Sequence, residues 1–223
     1  MKLFIEEEEI DIAFISESWE RQDQPLESII DIENYVIISN PFLRKNSGGK
    51  PAIIINSVKF NVEKPAIDVP WGVEIVWAVL TPKRVTNSSK IKKLIIASFY
   101  SKPSSRKKSL LMDHISDVYH SMLARYNDGV FFYICGDRND LKIDAILSLN
   151  QNFKQCVDKP TRLSPPSIID VIITDLHKFY QVPSCEPPLD VDSDKIGSPS
   201  DHLMVVMTPL NAVNNKKLRN KKI

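Results

Sequence analysis

Residues 130–140 read Val-Phe-Phe-Tyr-Ile-Cys-Gly-Asp-Arg-Asn-Asp, six apolar or aromatic side chains running straight into Gly136 and a polar cluster. The run is short, rich in β-branched and aromatic residues and closed by a glycine, which predicts a central strand covered on both faces. Asp137 and Asn139 then fall on the loop at its C-terminal end, where ligands of α/β sheets tend to bind. A carboxylate and a carboxamide two residues apart can share one small polar site, the first holding a cation or a proton and the second donating to a phosphate oxygen. The same residues also suit an Asx-type turn that merely closes the strand.

With 223 residues, 43% hydrophobic and 26% charged, the chain can bury one substantial core. A single domain is expected over 1–210, followed by a basic, disordered tail over 211–223. No apolar stretch approaches the roughly 18 residues of a membrane-crossing helix, and Met-Lys-Leu-Phe before Glu6, Glu7, Glu8 and Glu9 is neither a signal nor a transit peptide. An intracellular protein is therefore expected. Cys135, Cys156 and Cys185 lack metal-ligand spacing, and Cys135 lies inside the apolar run, so reduced structural thiols are expected. The net charge of +1 argues neither for nor against nucleic acid. Two basic clusters, one at Arg106, Lys107 and Lys108 and one at Lys216, Lys217, Arg219, Lys221 and Lys222, suit phosphates or plain solvent.

Taken in order, residues 1–9 read as the end of a helix, and 11–16 as a buried strand delivering Glu17 and Trp19 at its C-terminal end. That repeats the arrangement at Asp137, and the two carboxylates could converge on one metal ion if their strands share a sheet. Strands over 35–39, 52–55 and 73–80, punctuated by Asn-Pro, Ser-Gly-Gly and Pro-Trp-Gly, predict an antiparallel meander. A further apolar strand over 93–100 ends at Tyr100. Leu111, Ile115, Val118 and Met122 predict an amphipathic helix over 109–126 with Ser109 as N-cap, on which His114 and His120 have no metal partners. A short helix over 143–149 and a Pro- and Ser-rich loop over 159–167 follow. The strand over 168–174 embeds Asp170 among apolar neighbours, and a carboxylate buried there requires a partner. A long connection over 181–200 leads to Ser200, Asp201 and His202 and a last strand over 203–207.

The conjunction of Glu17 after an early strand, Gly-Asp-x-Asn at 136–139 and Ser-Asp-His at 200–202 resembles the endonuclease/exonuclease/phosphatase superfamily. Glu17-Ser18-Trp19, Ser98-Phe99-Tyr100, Pro160-Thr161-Arg162 and Ser167-Ile168-Ile169-Asp170 look most like its non-LTR retrotransposon endonucleases, over residues 10–207. The resemblance implies a four-layered α/β sandwich of two mixed sheets with helices outside. It also implies metal-assisted phosphodiester hydrolysis with Mg²⁺ or Mn²⁺, DNA as substrate, a reverse transcriptase domain in the parent element and a nuclear place of action. Carried over by residue, Glu17 and Asp201 would lie on the metal side. Asp137 would position or deprotonate the attacking water, with Asn139 on the phosphate. Asp170 would orient His202, itself on the scissile phosphate, and Tyr100 would stand near the leaving oxygen. Thr161, Arg162, Ser167 and Ser200 would bind substrate.

Two departures accompany the resemblance. The family's first strand, which carries an Asn, has no counterpart, so the strand over 11–16 is expected to show an unpaired edge. Arg138 stands where the family has an apolar aromatic residue; its guanidinium could bind phosphate or simply point to solvent, and the second is expected. Rival readings are a catalytically silent or nucleic-acid-binding remnant and another phosphoesterase, such as an apurinic endonuclease or a phosphoinositide phosphatase.

Overall fold

The long strands of this chain are apolar on both faces, and a sheet of that kind must be covered on both sides. The computed structural model describes residues 2–18, 23–39, 49–84, 90–187 and 201–210. In chain order the elements are α1 (Lys2–Glu7), β1 (Ile12–Ile15), α2 (Leu26–Ile29), β2 (Tyr35–Ser39), β3 (Ala52–Asn56), β4 (Phe60–Glu63), β5 (Glu74–Pro82) and β6 (Lys93–Tyr100). They continue with α3 (Lys108–Tyr126), β7 (Val130–Asp137), α4 (Asp144–Ser148), β8 (Lys154–Gln155), β9 (Arg162–Leu163), β10 (Pro166–Ser167), β11 (Asp170–Thr174), β12 (Ser184–Glu186) and β13 (Met204–Val206).

One sheet has six strands in the order β4-β5-β6-β7-β11-β8, the other three in the order β1-β3-β2, and β9–β10 and β12–β13 form separate ribbons. The central pair, β6 and β7, is parallel, and a parallel pair needs a long crossover, here supplied by α3. Side-chain alternation then sorts the core. Ile75, Trp77, Val79, Ile95, Ala97, Phe99, Phe132 and Ile134 pack beneath Leu111, Ile115, Val118 and Met122 of α3. The alternate residues Val76, Ala78, Leu80, Leu94, Ile96, Tyr133 and Cys135 meet Ile38, Ile53 and Ile55 of the smaller sheet. Ile54, on the far face of that sheet, packs with Ile5 of α1 and Ile32. Three cores thus separate four layers, and the molecule is the α/β sandwich of two packed sheets expected from the sequence.

Local expectations fared unevenly. The meander expected over 35–80 is divided: β2 and β3 pair in the small sheet, after which the chain crosses to the large sheet through β4. Strand β4 escaped sequence reading because Phe-Asn-Val-Glu is short and only half apolar. Ser109 lies inside α3, not at its cap, which Lys107 occupies without a side-chain bond to the helix. Ribbon strands of two or three residues, such as β9, β10 and β12, are too short for periodicity to reveal. His114 is a satisfied core residue that accepts a hydrogen bond from Trp77 Nε1 at 3.1 Å, and all three cysteines are free. Among the described residues β1 pairs with β3 alone, and no helix is long and apolar enough to cross a membrane. Trp19, Ser200 and the tail 211–223 lie outside the described residues.

Gly136 is the tightest point of the large sheet. Its φ is +154°, and a Cβ there would lie 2.0 Å from the Phe99 carbonyl oxygen on β6. Gly136→Ala should therefore lower the unfolding free energy by about 2 kcal/mol or more, through backbone strain and overpacking together. Urea unfolding at an unchanged m-value reads this directly, and a loss below about 0.5 kcal/mol would show that β6 and β7 can part without cost.

Candidate active site

Strand register assembles the site. Glu74 of β5 stands opposite Tyr100 of β6, Tyr100 opposite Asp137 of β7, and Asp137 opposite Asp170 of β11. These four polar residues make one rung across adjacent strands spaced about 4.8 Å apart. Each lies two positions from a residue of the face turned to the smaller sheet: Val76, Ser98, Cys135 and Ile172. By alternation all four point to the mouth of the space between the sheets.

Glu17 arrives from the other sheet. Ser98, fully buried on β6, donates through Oγ to the Ile15 carbonyl at 2.9 Å and so ties the end of β1 to the large sheet. Glu17 leaves β1 two residues later and stands near enough to Tyr100 for its charge to act on the phenol. The next residue continues the tie, Ser18 N–H donating to the Lys50 carbonyl at 3.1 Å. Lys50 N–H in turn donates to Glu74 Oε2 at 3.0 Å. Gly49 makes this crossing possible. Its φ is +102°, and a Cβ would sit 2.0 Å from Glu74 Oε2 and 2.7 Å from Tyr100 Cδ1. Sequence reasoning took Gly49 for turn punctuation and passed over Glu74. A carboxylate heading an otherwise apolar strand, the signal that singled out Asp170, marks Glu74 too.

Asp137 is 1% exposed and is gripped by one neighbour. Asn139 donates its backbone N–H to Oδ1 at 2.9 Å and its Nδ2 to Oδ2 at 2.7 Å, while Nδ2 also reaches the Ser101 carbonyl at 3.2 Å. The turn places Asn139 at φ +45°, a region that asparagine tolerates better than most residues. Burial pushes the Asp137 carboxyl up to about 6; the charges of Asp170 and Glu17 push the same way, while the Asn139 N–H and His202 oppose them. Tyr100 is raised above its ordinary range by burial first and then by Glu17, so its phenol stays protonated.

His202 completes the row. Its Nδ1 lies 3.0 Å from Asp170 Oδ2 and 3.3 Å from Oδ1, giving the half-buried carboxylate a partner. The hydrogen bond with Asp170 raises the imidazole to about 9 against the opposing effect of burial. A backbone bridge between Arg162 and His202, with Leu203 N–H donating to the Thr161 carbonyl at 2.6 Å, docks the 201–203 segment on the β9–β10 ribbon.

Glu17, Tyr100, Asp137, Asn139, Asp170 and His202 are thus brought together, but the expectations for Thr161 and Arg138 need correction. Thr161, expected to bind substrate, is fully buried, and its Oγ1 accepts the N–H groups of Ile169 at 3.2 Å and Asp170 at 3.0 Å. Its hydroxyl therefore braces the strand that carries Asp170. Arg138 does not simply point to solvent: Nε donates to the Ile168 carbonyl at 3.1 Å and Nη1 to the Leu141 carbonyl at 3.0 Å. Asp201 is an exposed carboxylate with Oδ1 3.8 Å from His202 Nε2. Ser167 donates to the Pro165 carbonyl at 3.1 Å.

Among the described residues no group of three His, Cys, Asp or Glu side chains is arranged as a metal cluster. A cation here would rest on one or two carboxylates, which is how Mg²⁺ is commonly held. Glu17, beside Tyr100 and within electrostatic reach of Asp137, supplies a hard oxygen donor that fits.

No protein-family model matches the sequence, and no curated protein does. Solved structures match its fold. Truncated Caenorhabditis elegans TDP2 has a TM-score of 0.64 at 15% identity, covering 92% of this chain and 86% of that one. The 3′ phosphatase NExo from Neisseria, bound to a product DNA hairpin, has a TM-score of 0.59 at 12% identity, covering 92% and 91%. An AP endonuclease from Archaeoglobus fulgidus has a TM-score of 0.55 at 14% identity, covering 93% and 91%. By its fold the chain is an α/β sandwich of the endonuclease/exonuclease/phosphatase type.

Proposed function

We propose that the chain hydrolyses phosphodiester bonds in DNA with the help of Mg²⁺ or Mn²⁺, as an endonuclease of the non-LTR retrotransposon kind. Its partner would be a reverse transcriptase domain of the parent element and its place of action the nucleus. The observation that carries this reading is the rung Tyr100, Asp137 and Asp170, closed by His202 at one end and by Glu17 from the facing sheet. Hydrolysis of a phosphodiester needs an aimed water and neutralised phosphate charge. Asp137, with a carboxyl raised to about 6, is ionised at neutral pH yet basic enough to take a proton from water. Asn139 holds that carboxylate still, and its Nδ2 can reach a phosphate oxygen by releasing the Ser101 carbonyl, the longer of its two contacts. His202, protonated at neutral pH through Asp170, offers Nε2–H to the same phosphate. Tyr100 keeps its phenolic proton as a donor near the leaving oxygen. A divalent cation on Glu17, with Asp201 in reserve at the open side, would supply further neutralisation of the phosphate.

A second reading, a nucleic-acid-binding module without turnover, is favoured by the pairing of β1 with β3 alone among the described residues, where the family has a further strand, and by Arg138 between Asp137 and Asn139. Purified protein offered supercoiled plasmid, abasic duplex and phosphoinositide with Mg²⁺ separates these readings: nicking of plasmid supports ours, selective action on either other substrate redirects it, and binding without cleavage supports the module.

Asp137→Asn and His202→Ala are each expected to reduce plasmid nicking by about 10²-fold or more while the protein stays folded by circular dichroism, His202→Ala with a lowered melting temperature because it removes the partner of Asp170. Nicking at the parental rate in either variant, with contaminating nuclease excluded, rejects the assigned roles.

The raised His202 also links stability to pH. Its folded value of about 9 exceeds the ordinary 6.5, so the charged pair stabilises the fold fully below about pH 6.5. That contribution is lost as pH rises through about 9. Metal-free protein should therefore lose stability between those limits, and His202→Asn should flatten that part of the profile in urea titrations. Parallel profiles for the two proteins would remove the His202–Asp170 ion pair from the account.

A further inference from the structure

A cleft of about 440 Å³ opens beside Asn139, and two guanidinium groups line it, Arg138 and Arg162. Arg138 is immobilised by the Ile168 and Leu141 carbonyls through Nε and Nη1, while Nη2 makes no hydrogen bond among the described residues. Its guanidinium is held in place before any ligand arrives. Arg162 has its Nε buried, with no hydrogen-bond partner among the described residues. Neither guanidinium meets a carboxylate among the described residues. The nearby acid at the rim, Asp140, is engaged by Lys108 and by the Ser104 N–H at 3.3 Å. Pro103 and Ile168 give the same cleft an apolar side.

Position adds to the chemistry. Arg138 sits between Asp137 and Asn139 in the chain, and Arg162 is bridged to His202 through the backbone. The two cations therefore flank the groups that, on the reading above, hold the scissile phosphate. Guanidinium forks match phosphate oxygens in geometry and charge. We infer that this cleft binds a second phosphate, the next one along a polynucleotide strand, so that the preferred substrate continues past the scissile bond on that side. The cleft is larger than a phosphate requires, and its apolar side can receive the sugar or base attached to it. This inference rests on the proposed phosphodiesterase reading for the position of the first phosphate.

The test is binding without cleavage, by anisotropy of a labelled DNA duplex with the full chain in EDTA over a range of salt. Arg162→Gln, which removes no hydrogen bond among the described residues, should weaken binding by roughly three- to tenfold and lower the slope of log K against log salt by about one. Arg138→Gln should do the same. Because Arg138 also holds two carbonyls, Arg138→Lys accompanies it: it should recover most of the salt slope if charge at this point meets a phosphate. In competition, the dinucleotide pTpT should displace the duplex about tenfold better than thymidine 5′-phosphate from the parental protein, and lose that advantage in Arg162→Gln. Unchanged affinity and slope in Arg162→Gln, or the same dinucleotide advantage in both proteins, overturns the inference. So does inositol trisphosphate outcompeting pTpT, which would assign the cleft to a headgroup. Plasmid nicking measured in parallel keeps the two readings apart. Arginine-dependent binding without nicking removes the catalytic reading and leaves the subsite, whereas nicking with arginine-independent binding does the reverse.

Discussion

The parallel pairing of β6 with β7 is the constraint on which the rest of the molecule depends. It sets Tyr100 beside Asp137, it obliges the chain to spend α3 on the crossover, and it brings the two backbones so close at Gly136 that only a hydrogen fits. The antiparallel neighbours β5 and β11 then extend the same rung to Glu74 and Asp170. Because side chains alternate, a slip of one residue anywhere in this sheet would turn its polar end groups into the α3 core and its apolar residues toward the open mouth. The core packing that specifies register therefore also specifies the site.

The rung gathers acids, and the fold keeps them apart by giving each its own donor. Glu17 stands beside the Tyr100 phenol, Glu74 has the Lys50 N–H, Asp137 the paired donors of Asn139, and Asp170 the imidazole of His202. The donors differ in kind, and so do the consequences. Neutral donors leave Asp137 to burial and to its charged neighbours, which raise it toward neutrality. Charge shared with His202 holds that imidazole protonated well above its ordinary range. One row thus presents a weak base and a cation side by side, which is the polarity that attack on a phosphate requires.

The small sheet contributes less area but decides where Glu17 stands. Strand β1 is short, half-buried and paired on one side among the described residues. Its end is placed by two hydrogen bonds, from Ser98 to Ile15 and from Ser18 to Lys50, and the second depends on the sharp Gly49–Lys50 turn against Glu74. A carboxylate held on an edge strand by a few polar contacts can adjust to a ligand more readily than one set in the six-stranded sheet.

By itself the sequence determined that 93–100 and 168–174 are strands, that the apolar run from Val130 into Gly136 is a central strand covered on both faces, that Asp137, Asn139 and Tyr100 lie at strand ends, and that Asp170 must have a partner. These are local properties, set by periodicity and by the cost of burying charge. Only the tertiary structure decided which strands are neighbours, since apolar runs of equal length carry no label for their partners. It placed Glu74 and Gly49 at the site, turned Thr161 inward to brace Asp170, and tied Arg138 to the Ile168 and Leu141 carbonyls. Each of these depends on contacts between residues far apart in the chain, or on the exact path of a loop. Neither is written in the residue types alone, because the same threonine or arginine faces solvent or protein according to what the fold brings against it.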